Sequence, residues 1–125
     1  MSGKFVSFVE TGNLVFVSGH IAKRNGEPWV GRLGETMSTA EGQKAARAVA
    51  EDLLRTLGDL TRIKRIVKVM VLVHSAPDFT EQHLVANGAS ELLIEKVSEH
   101  ARSAIGVAQL PYGVCVEIEL VAELH

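Results

Sequence analysis

The sequence predicts an α+β domain in which two helices cover one face of a mixed β-sheet. Segments rich in β-branched residues lie near both ends and in the middle of the chain, and two segments with helical spacing of apolar residues separate them. The resulting order is strand, strand, helix, strand, helix, strand, strand. With 125 residues, 46% of them hydrophobic, the chain from residue 1 to residue 125 is long enough for a single domain with a buried core.

Two β-rich runs at the amino end predict a hairpin. The runs are Phe5 to Val9 and Leu14 to Ser18, and the connector between them contains a glycine and an asparagine, which tolerate the positive φ of tight turns. Gly19 directly follows the second run. It either lets a ligand approach the backbone or marks a bulge or strand end, and both interpretations stay open. From there to Glu35, the density of helix and strand breakers predicts a loop.

Two amphipathic segments predict the helices. Ser38 followed by Glu41 forms a capping box, and apolar residues then recur at spacings of three and four until Gly58. The second helix is predicted from about Val85 to about Glu99. Its first turn is therefore expected to contain Asn87, Gly88 and Ser90.

The central strand, predicted from Ile63 to Val73, is apolar on both faces. Both alternating sets of side chains become apolar beyond the middle of the strand. Such a strand is normally covered on both sides, but two helices can cover only one face of a sheet. We therefore expect the other face to pack against another subunit.

The last two predicted strands carry a cation and an anion among apolar residues. Arg102 lies where the first of them begins, and Glu117 lies midway along the second. Burying an unpaired charge is costly, so such residues are normally paired or hold something charged. If a symmetric hairpin joins the strands, Arg102 faces Leu120 and misses Glu117 by three positions. A bulge or a neighbouring subunit must then complete a shared site.

The composition argues against several classes of function. A net charge of −2, from 13 basic and 15 acidic residues, provides no strong field for nucleic acid or an anionic membrane. The five histidines show no metal-binding spacing, so no metal is expected, and no glycine-rich phosphate loop is present. Cys115, the single cysteine, excludes an internal disulfide and is expected to be an inert buried residue. The absence of a targeting or membrane-spanning run predicts a cytoplasmic protein.

Two segments resemble the signature regions of a known family. They are NLVFVSGHI, from Asn13 to Ile21, and ARSAIGVAQLPYGVCVEIEL, from Ala101 to Leu120. Both are similar to regions of the Rid proteins, the reactive intermediate deaminase or YjgF-like family, also known as L-PSP endoribonucleases. The resemblance covers most of the chain. It implies a chorismate-mutase-like fold and a homotrimer with ligand clefts between subunits, which agrees with the apolar second face of the central strand.

The resemblance also implies an activity and a set of site residues. Family members hydrolyse reactive 2-imino or enamine acids to 2-keto acids and ammonia, without a cofactor. The matching Arg102 would hold the substrate carboxylate, because a planar guanidinium binds a carboxylate bidentately. The matching Glu117 would position or activate the attacking water. Gly19 and Ser103 would add backbone contacts, and Asn87 resembles a polar residue of the cleft. The expected partner is a small carboxylate-bearing metabolite.

The sequence departs from the family pattern in three places. Family enzymes usually begin with a longer arm whose tyrosine lines the site, whereas only Met1 to Lys4 precede the first predicted strand. Ala104 replaces a frequent cysteine, and the segment from Phe79 to Asn87 is longer than in the deaminases. Two alternatives therefore stay open beside the deaminase. One is a non-catalytic module that binds a metabolite or a partner; the other, with little support from an acidic chain that is 5% aromatic, is a ribonuclease.

Overall fold

A computed structural model describes residues 4–125 of the chain. Residues 1–3, which belong to the short segment ahead of the first strand, lie outside this range. The strands are β1 (Phe8–Thr11), β2 (Leu14–Ile21), β3 (Lys23–Arg24), β4 (Glu27–Pro28), β5 (Ile63–His74), β6 (Ala101–Val107) and β7 (Val116–Leu124), and the helices are α1 (Thr39–Leu57) and α2 (Gln82–Lys96). Short 3-10 turns at Leu60–Arg62 and Pro111–Gly113 precede β5 and β7.

The main sheet is mixed, and its strand order is β1-β2-β7-β5-β6. β6 runs parallel to β5, while β7 lies antiparallel between β2 and β5. The symmetric hairpin considered for the last two strands therefore does not form, because β5 separates them. α2 carries the chain from β5 back to the start of β6, as a crossover between parallel strands requires. β7 occupies the centre, where its alternate side chains from Val116 to Ala122 are buried.

The predicted amino-terminal hairpin is confirmed, with its first strand shifted. β1 pairs with β2 from Phe8 opposite Val17 to Thr11 opposite Leu14, so the strand begins three residues later than the predicted Phe5. β2 continues past the predicted end at Ser18 to Ile21. Its register against β7 shifts between Val17 and His20, which makes Gly19 part of a bulge.

The segment predicted as a loop contains a second, small hairpin. β3 and β4 pair around Asn25 and Gly26, whose φ values of 55° and 78° are those of a tight hairpin turn. The prediction missed it because each strand has only two residues, too few for an alternating pattern.

The two predicted helices are confirmed, and they cover one face of the sheet. Ser38 and Glu41 form the predicted capping box of α1, and Gly58 caps its end. α2 begins at Gln82, earlier than predicted. The prediction missed this start because no side chain caps it, and so no local signal marks it. Asn87 consequently lies in the second turn. None of the helices between residues 4 and 125 has the length and apolar character needed to cross a membrane.

The side of the sheet turned away from the helices, here called the open face, carries apolar side chains. Strand pairing places Val9, Phe16, Met70, Leu72, Ile105 and Val121 on it. Phe16 and Ile105 are each 46% exposed, although both are large apolar residues. Glu117 and Glu119 lie on the same face. Contiguous apolar residues on a sheet face are typical of an interaction surface.

Candidate functional site

Arg102 lies on the edge strand β6 and points toward the helices. Its pairing partner on β5 is Val69, which is fully buried under the helical layer, and laterally paired residues of a sheet point to the same side. Arg102 Nη1 donates to Asn87 Oδ1 at 2.9 Å and to Ser90 Oγ at 3.2 Å, and Nη2 donates to the His83 carbonyl at 3.3 Å. Three groups of α2 therefore hold the half-buried guanidinium.

These three hydrogen bonds leave two of the five N–H donors of the Arg102 guanidinium without a partner among residues 4–125. A guanidinium carries five N–H donors, one on Nε and two on each Nη. Asn87 and Ser90 use both donors of Nη1, and His83 uses one of Nη2. The donors that remain, one on Nε and one on Nη2, are available to a ligand carboxylate.

Ser90 connects Arg102 to His100. Ser90 Oγ lies 2.9 Å from His100 Nε2, and His100 Nδ1 lies 3.4 Å from the Ser98 carbonyl oxygen. Burial lowers the pKa of His100; the hydrogen bond to Ser98 opposes this, and the charge of Arg102 lowers the pKa further. The ring is therefore biased toward its neutral form.

Glu117 lies in the middle of the sheet, on the open face of β7. It pairs with Ile21 of β2 on one side and Leu72 of β5 on the other. Its carboxyl group rests on the backbone of Gly19, where a Cβ atom would overlap Glu117 Oε2. The bulge in β2 therefore brings the backbone of Gly19 so close to Glu117 that position 19 has no room for a side chain.

The surroundings of Glu117 favour its protonated form. Burial raises the pKa of the Glu117 carboxyl group, repulsion from Glu119 raises it further, and the nearby His20 acts in the opposite direction. His20 is held by Ser18 and Thr56, since its Nδ1 lies 2.7 Å from the Ser18 carbonyl oxygen and its Nε2 lies 2.7 Å from Thr56 Oγ1. A carboxylate with a raised pKa is a stronger base than an ordinary glutamate.

The five predicted site residues form two groups within one chain. Arg102 and Asn87 contact each other on the helical side, and Glu117 and Gly19 contact each other on the open face. Ser103 pairs with Met70 and so faces the open side as well, opposite to its neighbour Arg102. Because Arg102 and Glu117 point to opposite sides of the sheet, with β5 between their strands, one chain does not bring them together.

A recess at the far end of β5 contains none of the predicted site residues. Its volume is about 500 Å³, and it is lined by Val30, Gly31, Arg32, Glu35, Thr36, His74, Ala108, Gln109 and Gly113. His74 is buried there, with Nδ1 2.9 Å from the Gly31 carbonyl oxygen. The recess is therefore separate from both groups.

Cys115 is fully buried beside the start of β7. Burial raises the pKa of its thiol to about 11, which keeps the sulfur protonated at neutral pH. The interpretation of this cysteine as an inert apolar residue is thereby supported. Among residues 4–125, no three side chains of the His, Cys, Asp and Glu types gather as a metal-binding group.

Comparison with known proteins identifies the family. The family model described as Endoribonuclease L-PSP matches residues 1–124. The chain belongs to the endoribonuclease L-PSP family. Protein TCP17 of Trypanosoma cruzi is 47% identical over 130 residues, which cover 97% of this chain and 81% of TCP17.

Two solved structures show the L-PSP family fold in similar chains. Atu1372 of Agrobacterium tumefaciens, of unknown function, is 37% identical with a TM-score of 0.88, over 98% of this chain and 82% of Atu1372. A proposed endoribonuclease from Shewanella oneidensis has a TM-score of 0.92 at 24% identity, over 99% of this chain and 87% of that protein. The resemblance carried by β2 and by the region from β6 to β7 is thus confirmed, as is the α+β fold it implied.

Two side chains that contact the predicted L-PSP family site were not among the predicted site residues. Ser90 contacts Arg102 directly, and His100 contacts Ser90. The spacing of Asn87 and Ser90, three residues apart on one helix, was a usable signal, because such residues share a face. His100 gave no comparable signal, since it precedes β6 and contacts α2 only through the tertiary fold.

Proposed function

We propose that this L-PSP family protein hydrolyses small reactive 2-imino or enamine acids to 2-keto acids and ammonia. The observation that carries the proposal is that three hydrogen bonds to α2 leave one donor on Nε and one on Nη2 of Arg102 available. Such donors suit a carboxylate, the group that all these acids share. Asn87 contributes by fixing the guanidinium.

The complete site, as we propose it, lies between two subunits of a homotrimer. Arg102 and Glu117 face opposite sides of one sheet, and the open face exposes Phe16 and Ile105. Covering that face with a second copy of the chain removes apolar surface from water. In the proposed ring, which is head-to-tail and closes as a trimer, the edge strand of one subunit would lie near Glu117 and Gly19 of the next.

Glu117 acts as the general base in this proposal. Its ionised carboxyl group accepts a proton from a water molecule as the water oxygen bonds to the imine carbon, and it passes that proton to the imine nitrogen. Glu117 then carries the hydroxyl proton of the resulting carbinolamine to the amine nitrogen. The C–N bond breaks as the C=O bond forms, ammonia leaves with the 2-keto acid, and Glu117 is ionised again. The raised pKa of Glu117 supports this role, and Ser103 and Gly19 supply backbone groups on the same face. The reaction as written needs no cofactor.

Ammonia release from freshly generated 2-imino acids tests the proposal. We expect turnover by the wild-type protein and loss of most of it in both Arg102→Ala and Glu117→Gln. Glu95→Gln, a change at an exposed position of α2, is the matched control and should retain activity. Wild-type turnover in Arg102→Ala would refute the carboxylate-binding role.

Mixed trimers test the division of the site between subunits. If one chain supplies Arg102 and the next supplies Glu117, each trimer that contains both Arg102→Ala and Glu117→Gln chains has one intact site in a three-membered ring. Random mixing of the two inactive variants should then restore about a quarter of the wild-type rate. No recovery in verified mixed trimers would contradict a site shared in this way.

The same experiments separate the alternatives. If the protein is a non-catalytic module, 2-keto acids should bind through Arg102 and raise the melting temperature of the protein. No ammonia should be released. If the protein is a ribonuclease, the activity in the family's name, it should cleave RNA. Substitution of the residues that form the ribonuclease site should then abolish this cleavage. A single cysteine, with no partner for an internal disulfide, fits the reducing, cytoplasmic setting that we propose for either function.

A further inference from the structure

We propose that Ser90 and His100 are positioning residues that fix the orientation of Arg102, so that its free donors on Nε and Nη2 are the ones presented to a ligand carboxylate. This inference rests on the proposed role of Arg102 and adds the residues that set its orientation. Neither residue contacts these two donors, because Ser90 contacts Nη1 and His100 contacts Ser90.

The hydrogen bonds form a chain in which every donor has one acceptor. Arg102 Nη1 can only donate, so Ser90 Oγ accepts that bond at 3.2 Å. The Ser90 hydroxyl proton is then free to be donated to His100 Nε2 at 2.9 Å. This requires the neutral ring with its proton on Nδ1, and Nδ1 faces the Ser98 carbonyl at 3.4 Å. The contacts of both ring nitrogens are thus consistent with one tautomer, the one that is protonated on Nδ1.

The surroundings of His100 also favour the neutral ring that this chain requires. Burial and the Arg102 guanidinium both lower the pKa of His100, which disfavours the doubly protonated ring. A protonated Nε2 would give the Ser90 oxygen a second donor and leave the hydroxyl proton without its acceptor. Ser90 would then hold Arg102 less firmly.

Two acceptors on Nη1 hold the guanidinium in one orientation. Asn87 accepts from one Nη1 donor and leaves the second without a partner, so that Asn87 alone would hold Nη1 at one point only. Ser90 occupies that second donor. Its side chain can hold this position because Ser90 is 8% exposed, on the face of α2 that packs against the domain.

Pyruvate binding, measured by calorimetry on the full chain, tests the inference. We expect Ser90→Ala and His100→Leu each to weaken pyruvate binding about tenfold, since each removes support from a charged hydrogen bond. His100→Gln should restore most of the affinity, because its side-chain oxygen can accept from Ser90 where Nε2 did. Circular dichroism and light scattering check that each variant folds and assembles like the wild type.

Nitrogen NMR of the His100 ring supplies a readout that a packing role would not move. We expect the neutral ring with the proton on Nδ1 in the wild type, and a mixture of tautomers in Ser90→Ala, which lacks the donor to Nε2. A proton on Nε2 in the wild type would overturn the proposed chain. So would equal pyruvate affinities of His100→Leu and His100→Gln.

Failure of this inference can be distinguished from failure of the proposed function. If Arg102→Ala binds pyruvate as tightly as the wild type, the carboxylate-binding role is wrong and the positioning role falls with it. If Arg102→Ala loses binding while Ser90→Ala and His100→Leu keep wild-type affinity, only the positioning role is wrong. A Ser90→Ala variant that does not fold leaves the decision to the two His100 variants.

Discussion

The Glu117 carboxyl group is half-buried on the open face of the sheet, and its protonation changes the stability of the fold. Burial and the neighbouring Glu119 raise its pKa above the ordinary 4.5. Between that ordinary value and the raised one, the folded state binds more protons than the unfolded state. The free energy of unfolding therefore falls as the pH rises through this window, and ionised Glu117 destabilises the fold above it.

We predict that Glu117→Gln stabilises the protein at neutral and alkaline pH. The amide removes the cost of burying a charge, and the advantage should vanish below pH 4.5, where the wild-type carboxyl group is protonated in both states. Urea unfolding across this pH range measures the effect. Glu95→Gln, at an exposed position, is the control; a similar gain there would show that the effect is not due to burial of Glu117.

Gly19 is predicted to control where the Glu117 carboxyl group lies. In Gly19→Ala the new Cβ overlaps Glu117 Oε2, the far end of a flexible side chain, which moves instead of the backbone. A displaced base costs roughly 100-fold in rate, while the free energy of unfolding should change by less than about 1 kcal/mol. Ammonia release and urea unfolding measure the two effects.

Gly106→Ala is the matched control for this substitution. Gly106 also lies in a strand, and its added Cβ would meet the far end of a side chain, the Gln82 amide, at 2.8 Å. It should retain activity. In Glu117→Gln, the Gly19→Ala change should cost no further activity, since the group it displaces is already inactive; additive losses would contradict the assigned contact.

At the scale of whole elements, the packing of α2 against α1 sets the position of the Arg102 group. α2 supplies Asn87, Ser90 and the His83 carbonyl. Gly88, on the same helix, lies against the α1 backbone, where a Cβ would overlap the Gln43 carbonyl oxygen. The close approach of the two helices therefore depends on the absence of a side chain at position 88.

We predict that Gly88→Ala destabilises the protein by about 1–3 kcal/mol, the usual cost of overpacking. The sign is opposite to the gain expected from helix propensity, because the neighbouring atom belongs to backbone and cannot rotate away. Gly42→Ala is the control, since its Cβ would meet side-chain atoms of Leu33 and Val85 that can adjust, so its loss should be smaller. Urea unfolding compares the two; an equal or smaller loss in Gly88→Ala would refute the argument.

For the whole molecule, the apolar open face determines how copies of the chain associate in the proposed trimer. We predict that Ile105→Asp gives a monomer by light scattering and loses ammonia release, because a buried unpaired carboxylate is costly in an interface. Ile94→Asp is the matched control, since Ile94 is 50% exposed on α2 and Ile105 is 46% exposed on the open face. A trimeric, active Ile105→Asp protein would place the interface elsewhere.

The parts of this protein that the sequence determined are those whose signals are local. The capping box at Ser38 and the helical spacing behind it predicted α1, because cap and face involve residues a few positions apart. The long apolar run predicted β5 for the same reason. The start of α2 was misplaced because Glu81 provides no side-chain cap, and so no local signal marks it.

Only the tertiary structure decided which strands pair and which side each charge faces. β6 and β7 are consecutive in sequence, yet β5 lies between them, because the α2 crossover makes β6 parallel to β5 and leaves the centre to β7. A strand pattern gives two faces without saying which one meets the helices. The sequence therefore marked Arg102 and Glu117 as a pair of charges, whereas long-range packing placed them on opposite sides of one sheet.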